Sequence, residues 1–540
     1  MTTHNPHATG SLVDDYEFGP NEQPVLPGSP HAPRHTTSRR VTYALMAVLM
    51  GITASLGNAL VLVNVSNIAG SMGLTVTEAS WLPAMYVAFG CTANLLLVRA
   101  RIQFGIQPVT YLLLSGYILT ALAQIAFPGF GTALVIRAMS GLMSSGLLAL
   151  AIFNAVQVCP PNMRPVGLLV GVSISPLSTP LARLFPLDML TAHAWGGLHL
   201  IELGLGLVAL AAFAMFPLPP SKRSPAFELL DGVTIALFLP AIVLLSGVLS
   251  EGRLMWWTDT PWIGVALAGA VVLLGAVLAI ELNRKSPLLE VKWLVTEDIF
   301  RFILVAFLVR LALAEQTYGA VGLLTAGGLT DDQLHILFGI VLAAMVAGTT
   351  IAAVTLSLPK LRHQVLAATL FIAAGSFIDS TSSSLTRPEQ LYLSQALIAF
   401  GAALSFGPGL LVGFVHVLQK GPKYFVSVIV MFNLTQNLGG LAGSALLGSY
   451  QTVAADAHLQ SIYSHLASDD PSVAARAQGG VAALNQVAVR EANFGAYDDV
   501  FRFVALLAAL TALFITYSIA LNFVKARQAA RQLETAGVNA

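Results

Sequence analysis

The chain has 540 residues, of which 56% are hydrophobic and only 10% charged, and its formal net charge is zero. Soluble globular domains carry roughly 25% charged residues, so there is too little charge here to cover a water-facing surface. An ordinary soluble domain is thereby excluded, the missing polar surface must face lipid, and no nucleic acid is expected as a partner.

Residues 1–40 are rich in Pro, His and Ser and lack an apolar core. They read as a disordered cytoplasmic tail and not as a signal peptide. A spanning helix needs ~20 mostly apolar residues, and that ruler places spans at 41–63, 80–98, 109–127, 132–156, 166–185 and 197–216. A polar stretch at 217–225 interrupts the pattern before two more spans, 230–249 and 262–282. After a charged linker with Arg284, Lys285 and Lys292 come 300–323, 333–354, 365–382, 391–418, 425–449 and 500–524. The expected architecture is an all-α integral membrane protein with about fourteen spans. It divides into a six-helix bundle at 41–217, a two-helix central insertion with linkers at 218–299, and a six-helix bundle at 300–524, with a cytoplasmic tail at 525–540. The last bundle includes a long outer loop, 450–499, which reads either as a small external cap or as a helical hairpin.

Lys and Arg concentrate in the loops on the cytoplasmic side of a membrane. With the N-terminus inside, nineteen of the 27 positive residues fall on that side, four fall outside, and Arg137, Arg183, Arg310 and Arg502 lie in spans or at their ends. One span more or fewer would scramble this alternation, so both termini are expected in the cytoplasm. Two cysteines, Cys91 and Cys159, give no disulfide framework. His199, His335, His363 and His416 fall on separate elements, so neither a metal nor another cofactor is expected.

An ionisable group in hydrocarbon costs roughly 2.5–3.5 kcal/mol on insertion scales and must find a partner or a wet cavity. Arg137 lies in the fourth span, Glu202 in the sixth with His199 three residues earlier, and Arg310 and Glu315 in the ninth. His199 and Glu202 share a helix face, so they can share a proton. The plainer alternative is that each charge is satisfied by a neighbouring helix. Arg310 and Glu315 are about 140° apart on an ideal helix and do not pair with each other. Asp379 precedes a serine-rich run and reads as the end of its helix at the outer surface. Asn58, Arg310, Asn433 and Asn437 are the polar side chains expected to line a substrate cavity. Gly141, Pro180, Gly439 and Gly443 are expected at close helix contacts, since small residues let backbones approach.

Several motifs, in order along the chain, resemble the fourteen-helix drug:proton antiporter branch of the major facilitator superfamily, the EmrB/QacA type. Arg137-x-x-x-Gly141 is similar to the motif of its fourth helix, Asn437-Leu-Gly-Gly440 to that of its thirteenth, and Ala496-Tyr-Asp-Asp-Val-Phe501 to the entry of its last helix. The resemblance implies a secondary active transporter, not an enzyme, exporting a small, largely apolar or aromatic compound in exchange for protons (the multidrug type). It implies proton coupling at Arg137; Glu202, a carboxylate where the family usually shows an amide, and Glu315 are the embedded acids that are candidates to take the proton. It also implies the inner membrane as location and, in a Gram-negative envelope, a periplasmic adaptor protein and an outer-membrane channel as partners. Some family positions are changed. Gly57 stands where the first helix carries an Asp, Ile102 replaces the loop Asp, and Thr179-Pro180-Leu-Ala keeps the proline of the antiporter motif without its glycines. An importer or uncoupled facilitator is the alternative these losses favour. A membrane-embedded enzyme would need a clustered His/Asp or Ser/His constellation, and none is visible.

Overall fold

The computed structural model describes residues 19, 22–24, 27–466, 471 and 480–538. The principal helices are numbered here in chain order. They begin with α1 (Thr37–Val63), α2 (Val76–Phe104), α3 (Ile106–Ala126) and α4 (Phe130–Val158). Next come α5 (Arg164–Ser173, prolonged by Ser178–Ala182), α6 (Leu187–Met215), α7 (Leu229–Glu251) and α8 (Pro261–Asn283). The remainder are α9 (Glu297–Ala312), α10 (His335–Val354), α11 (Leu361–Asp379), α12 (Tyr392–Lys420), α13 (Phe425–His465) and α14 (Val481–Val538).

Among the described residues, thirteen helical segments are long and apolar enough to cross a membrane. The expected span 300–323 is not among them: α9 ends at Ala312, and a π-helical turn at Glu315–Ala320 and a further α-helical turn, Val321–Ala326, follow it. α5 is also broken, by a 3-10 turn at Ser175–Leu177. Pro176 there and Pro180 in the turn that follows lack the amide protons that a continuous ladder needs. α2 starts on a capping box, in which Glu78 N donates to Thr75 Oγ1 (3.2 Å) and Thr75 N to Glu78 Oε2 (2.8 Å). Large apolar side chains on α8 point outward, with Val265, Val271 and Val272 63–72% exposed. Such a surface is stable only against lipid, and the protein is a multi-pass membrane protein.

The chain forms two compact units, Met1–Ile299 with Gly413–Leu434, and Phe300–Val412 with Thr435–Ala540. The central segment 218–299 is therefore continuous with the first six helices. Arg99 of α2 faces Asp231 of α7 at 3.8 Å, and Ser80 of α2 donates to Glu251 at the end of α7. The stretch 413–434 joins the first unit because Glu290 N donates to Ser427 Oγ (2.8 Å) and the Trp293 and Tyr424 rings meet at a tilt with centroids 4.5 Å apart.

Two expectations need correction. Within the N-terminal tail, Ser29–Ala32 and His35 are buried. The ring Nδ1 of His31 bonds the Pro220 carbonyl at 2.7 Å, and Gln157 Nε2 donates to the His31 carbonyl at 2.8 Å. This stretch is held by backbone acceptors, which composition does not reveal. Asp379 does end α11 but is 1% exposed, because α12 supplies it with a donor. Segment 450–499 is helical as far as it is described: α13 and α14 run on past their apolar stretches. Gln451 Nε2 donates to Asn493 Oδ1 (2.8 Å) and His458 Nε2 meets Asp499 Oδ2 at 2.8 Å between them.

Candidate functional site

In the first unit, α4 and α6 bring two of the embedded charges together. Arg137 Nη2 donates to Glu202 Oε1 at 3.2 Å and to Oε2 at 3.4 Å. His199 Nδ1 lies 3.0 Å from Glu202 Oε2, as their shared helix face requires. Arg137 and Glu202 are only 3% and 6% exposed. The guanidinium is used on one side only: its other terminal nitrogen, Nη1, is buried and meets no acceptor among the described residues. Buried donors in native proteins are nearly always satisfied, and an exception marks either strain or function.

The surrounding small residues set this geometry. A Cβ on Gly141 would stand 2.2 Å from the Tyr86 carbonyl, so glycine is what lets α4 lie against α2 one turn beyond Arg137. A Cβ on Gly57 of α1 would stand 2.1 Å from Glu202 Oε1. The carboxylate of α6 thus fills the space in front of the position where the resembling family carries an Asp on its first helix. Asn58, next to it, has a buried Oδ1 with no partner among the described residues. Pro180 is buried in the turn Ser178–Ala182, where Ser178 Oγ meets Ser55 Oγ at 2.5 Å.

In the second unit, Arg310 Nε donates to the Gln436 carbonyl at 2.9 Å. Its side chain lies over Gly439 and Gly440, whose added Cβ atoms would come within 3.1 and 2.6 Å of it. Gly443 meets Ala314 in the same way, at 2.7 Å. The Asn-Leu-Gly-Gly segment is therefore the bed of a half-buried arginine. Glu315 is fully buried, separate from Arg310, and takes a hydrogen bond from Gln395 Nε2 at 3.1 Å. The same amide donates to Asp379 Oδ2 at 2.7 Å. Sequence reading missed Asp379 and Gln395 as members of this group. The only available signal was an ionisable residue within a turn of an apolar helix. Asn433 and Asn437 fall in different compact units, and each makes contacts of its own. No group of three or more His, Cys, Asp or Glu able to hold a metal occurs among the described residues.

No family model matches the chain. An MFS-type transporter of Claviceps purpurea (strain 20.1) is 26% identical over 287 residues, 51% of this chain and 49% of its own length. The chain thus spans about half the length of that curated relative. A POT family transporter, solved in complex with 5-aminolevulinic acid, superposes with a TM-score of 0.54 at 15% identity, over 91% of this chain and 98% of that one. The human organic anion transporter MFSD10 superposes with a TM-score of 0.52, also at 15% identity, over 88% of this chain and 100% of that one. These likenesses show the fold, which is that of the major facilitator superfamily.

Proposed function

We propose that the protein is a secondary transporter that exports a small, largely apolar organic compound in exchange for protons, with Glu202 as the coupling carboxylate. The observation that carries this reading is the lopsided buried pair. Glu202 is held by one nitrogen of Arg137 and by His199, while Arg137 Nη1 has no acceptor among the described residues. A purely structural pair would satisfy both ends of the guanidinium. Protonation of Glu202 removes the charge that holds Arg137 and frees the guanidinium for another acceptor. That change in pairing is the kind of local electrostatic event that biases a two-state transporter. A buried carboxylate must be neutralised or paired, and here either condition can be met, so the two protonation states can each be stable. The fold and the motif resemblance support transport; the embedded Arg137–Glu202–His199 group supports the proton as coupling ion.

The test is pH-driven accumulation and substrate counterflow in reconstituted vesicles, run against a panel of apolar compounds. Glu202→Gln mimics the protonated state, so it should keep counterflow and lose the response to an imposed pH gradient. Accumulation by this variant equal to the parent's would remove Glu202 from the role.

A further inference from the structure

The second unit carries a group that the reading above does not use. Glu315, at the first residue of the π-turn after α9, and Asp379, at the last residue of α11, are 0% and 1% exposed. One side-chain nitrogen serves both carboxyls, which brings the two acids together. Gln395 of α12 bridges them, its Nε2 donating to Glu315 Oε1 at 3.1 Å and to Asp379 Oδ2 at 2.7 Å. The direction of that amide is fixed by Gln316, whose Nε2 points to Gln395 Oε1 at 3.3 Å, so the NH2 end faces the acids. The remaining oxygens, Glu315 Oε2 and Asp379 Oδ1, meet no donor among the described residues. Ser376, three residues before Asp379 on the same face of α11, also has a fully buried hydroxyl without a partner.

Charge balance makes the arrangement specific. Among the described residues, no Lys, Arg or His bonds either carboxyl. Arg310 is engaged with Gln436, and α14 presents Phe501 to the π-turn at Gly319 and Tyr497 to the turn after it at Gly322. Two ionised carboxylates in this position would be adjacent like charges, desolvated and without a cation, which is prohibitive. Carboxylate oxygens only accept, so a direct bond between the two acids needs a proton between them. One proton satisfies both conditions. It leaves a single negative charge spread over the pair, with the Gln395 amide donating to each acid. π-turns recur at functional positions in helices, and Glu315 is the first residue of this one.

We propose that Glu315, Asp379 and Gln395 form a second proton site, self-contained in the second unit, that holds one proton between its two carboxyls. This goes beyond the Glu202 reading and does not depend on it. The proton passes on and off without any covalent change: it forms one O–H bond on either acid, and its loss leaves two carboxylates that Gln395 alone must bridge.

The experiment is an infrared titration of the purified full-length protein, following the C=O band of protonated carboxylic acids at about pH 8, well above the ordinary carboxylate range. The parent should show a carboxylic-acid signal that Glu202→Gln leaves unchanged. Glu315→Gln and Asp379→Asn should each remove the same signal, and the double variant should remove no more than either alone. Two acids protonated independently would make the single losses add in the double variant, which overturns the sharing of one proton. Discharge of the signal by sodium or lithium chloride at constant pH would mean that the site takes a metal cation, and would overturn the proposal. If either variant fails to fold, the other carries the comparison. Absence of a salt-insensitive acid signal in the parent alone refutes the site.

Discussion

Gly57 and Glu202 occupy one another's space: a Cβ on Gly57 would stand 2.1 Å from Glu202 Oε1 and 2.8 Å from its Cδ. A carboxylate end can ordinarily swing away from such a contact. This one is pinned by Arg137 and His199, so Gly57→Ala must either break those bonds or part α1 from α6. Overpacking of this kind costs about 1–3 kcal/mol. We expect Gly57→Ala to lower the thermal stability of the purified protein and to depress transport. Gly57→Asp combined with Glu202→Gln moves the carboxylate back to the first helix and should recover pH-driven transport that either single change loses. No recovery in a well-folded double variant would show that the position, and not merely the presence, of the carboxylate matters.

Arg137→Ala removes the strongest partner of a carboxylate that is 6% exposed. Breaking one side of a buried pair typically costs about 3–5 kcal/mol, and the remaining His199 contact should hold the loss toward the lower end. Coupled transport should disappear while membrane insertion persists, because the residue is an internal partner and not a topology signal. Arg137→Ala with Glu202→Gln should regain most of the stability without regaining pH-driven accumulation. Thermal unfolding and vesicle transport measured on the same preparations separate the two effects. Full coupled transport by Arg137→Ala would refute the role.

The spans could be read from the sequence because run length and hydropathy are local properties, and bilayer thickness sets the ruler. Arg137, Glu202 and His199 could be singled out for the same reason: charge in an apolar run is conspicuous, and the i, i+3 spacing places two of the three on one face. Their meeting across α4 and α6 was not written in any local pattern. Asp379 was misplaced because the serines after it resemble a surface loop, while its partners lie on other helices. The π-turn after α9 has no apolar signature at all. The ordered stretch around His31 was read as disorder because its composition offers few apolar side chains, whereas its order comes from hydrogen bonds to Pro220 and Gln157.

That stretch gives a pH-dependent expectation. His35 Nε2 bonds Gln157 Oε1 at 2.8 Å. Burial holds the imidazole below its ordinary value of 6.5; the Gln157 bond works against this, and the charges of Arg39 and Arg40 add to it. A depressed value means that the undocked state binds the proton more readily. Docking is then at full strength above 6.5 and weakens as the pH falls below it. Hydrogen exchange of residues 29–35 should accelerate on acidification, and His35→Gln should flatten that dependence. Exchange that is independent of pH, after correction for the intrinsic rate, would rule out the histidine as its cause.

Arg284, at the end of α8, ties three carboxylates of the helix pair α7–α8 together. Arg284 donates from Nη2 to Asp231 Oδ1 (2.6 Å) and Glu228 Oε2 (2.9 Å), and from Nη1 to Glu281 Oε1 (3.0 Å). Asp231 and Glu281 are 1% and 2% exposed. Glu281 is held further by the Thr234 hydroxyl at 2.6 Å and by the backbone amides of Leu288 and Leu289 at 2.6 and 3.1 Å. Those donors fix the Glu281 carboxylate in place, so it cannot swing out to water when its cation is removed. Arg284→Ala therefore strands two buried carboxylates, and should cost about 3–5 kcal/mol. Arg99 also faces Asp231, but at 3.8 Å and with its side chain 19% exposed. Arg99→Ala should cost no more than about 1 kcal/mol, as weak, partly hydrated pairs do. Unfolding of both variants in the same detergent, scored by midpoint, gives the comparison directly. Equal losses from the two substitutions would mean that the charge around Asp231 is shared evenly between the arginines, and that Arg284 is not what fastens the pair.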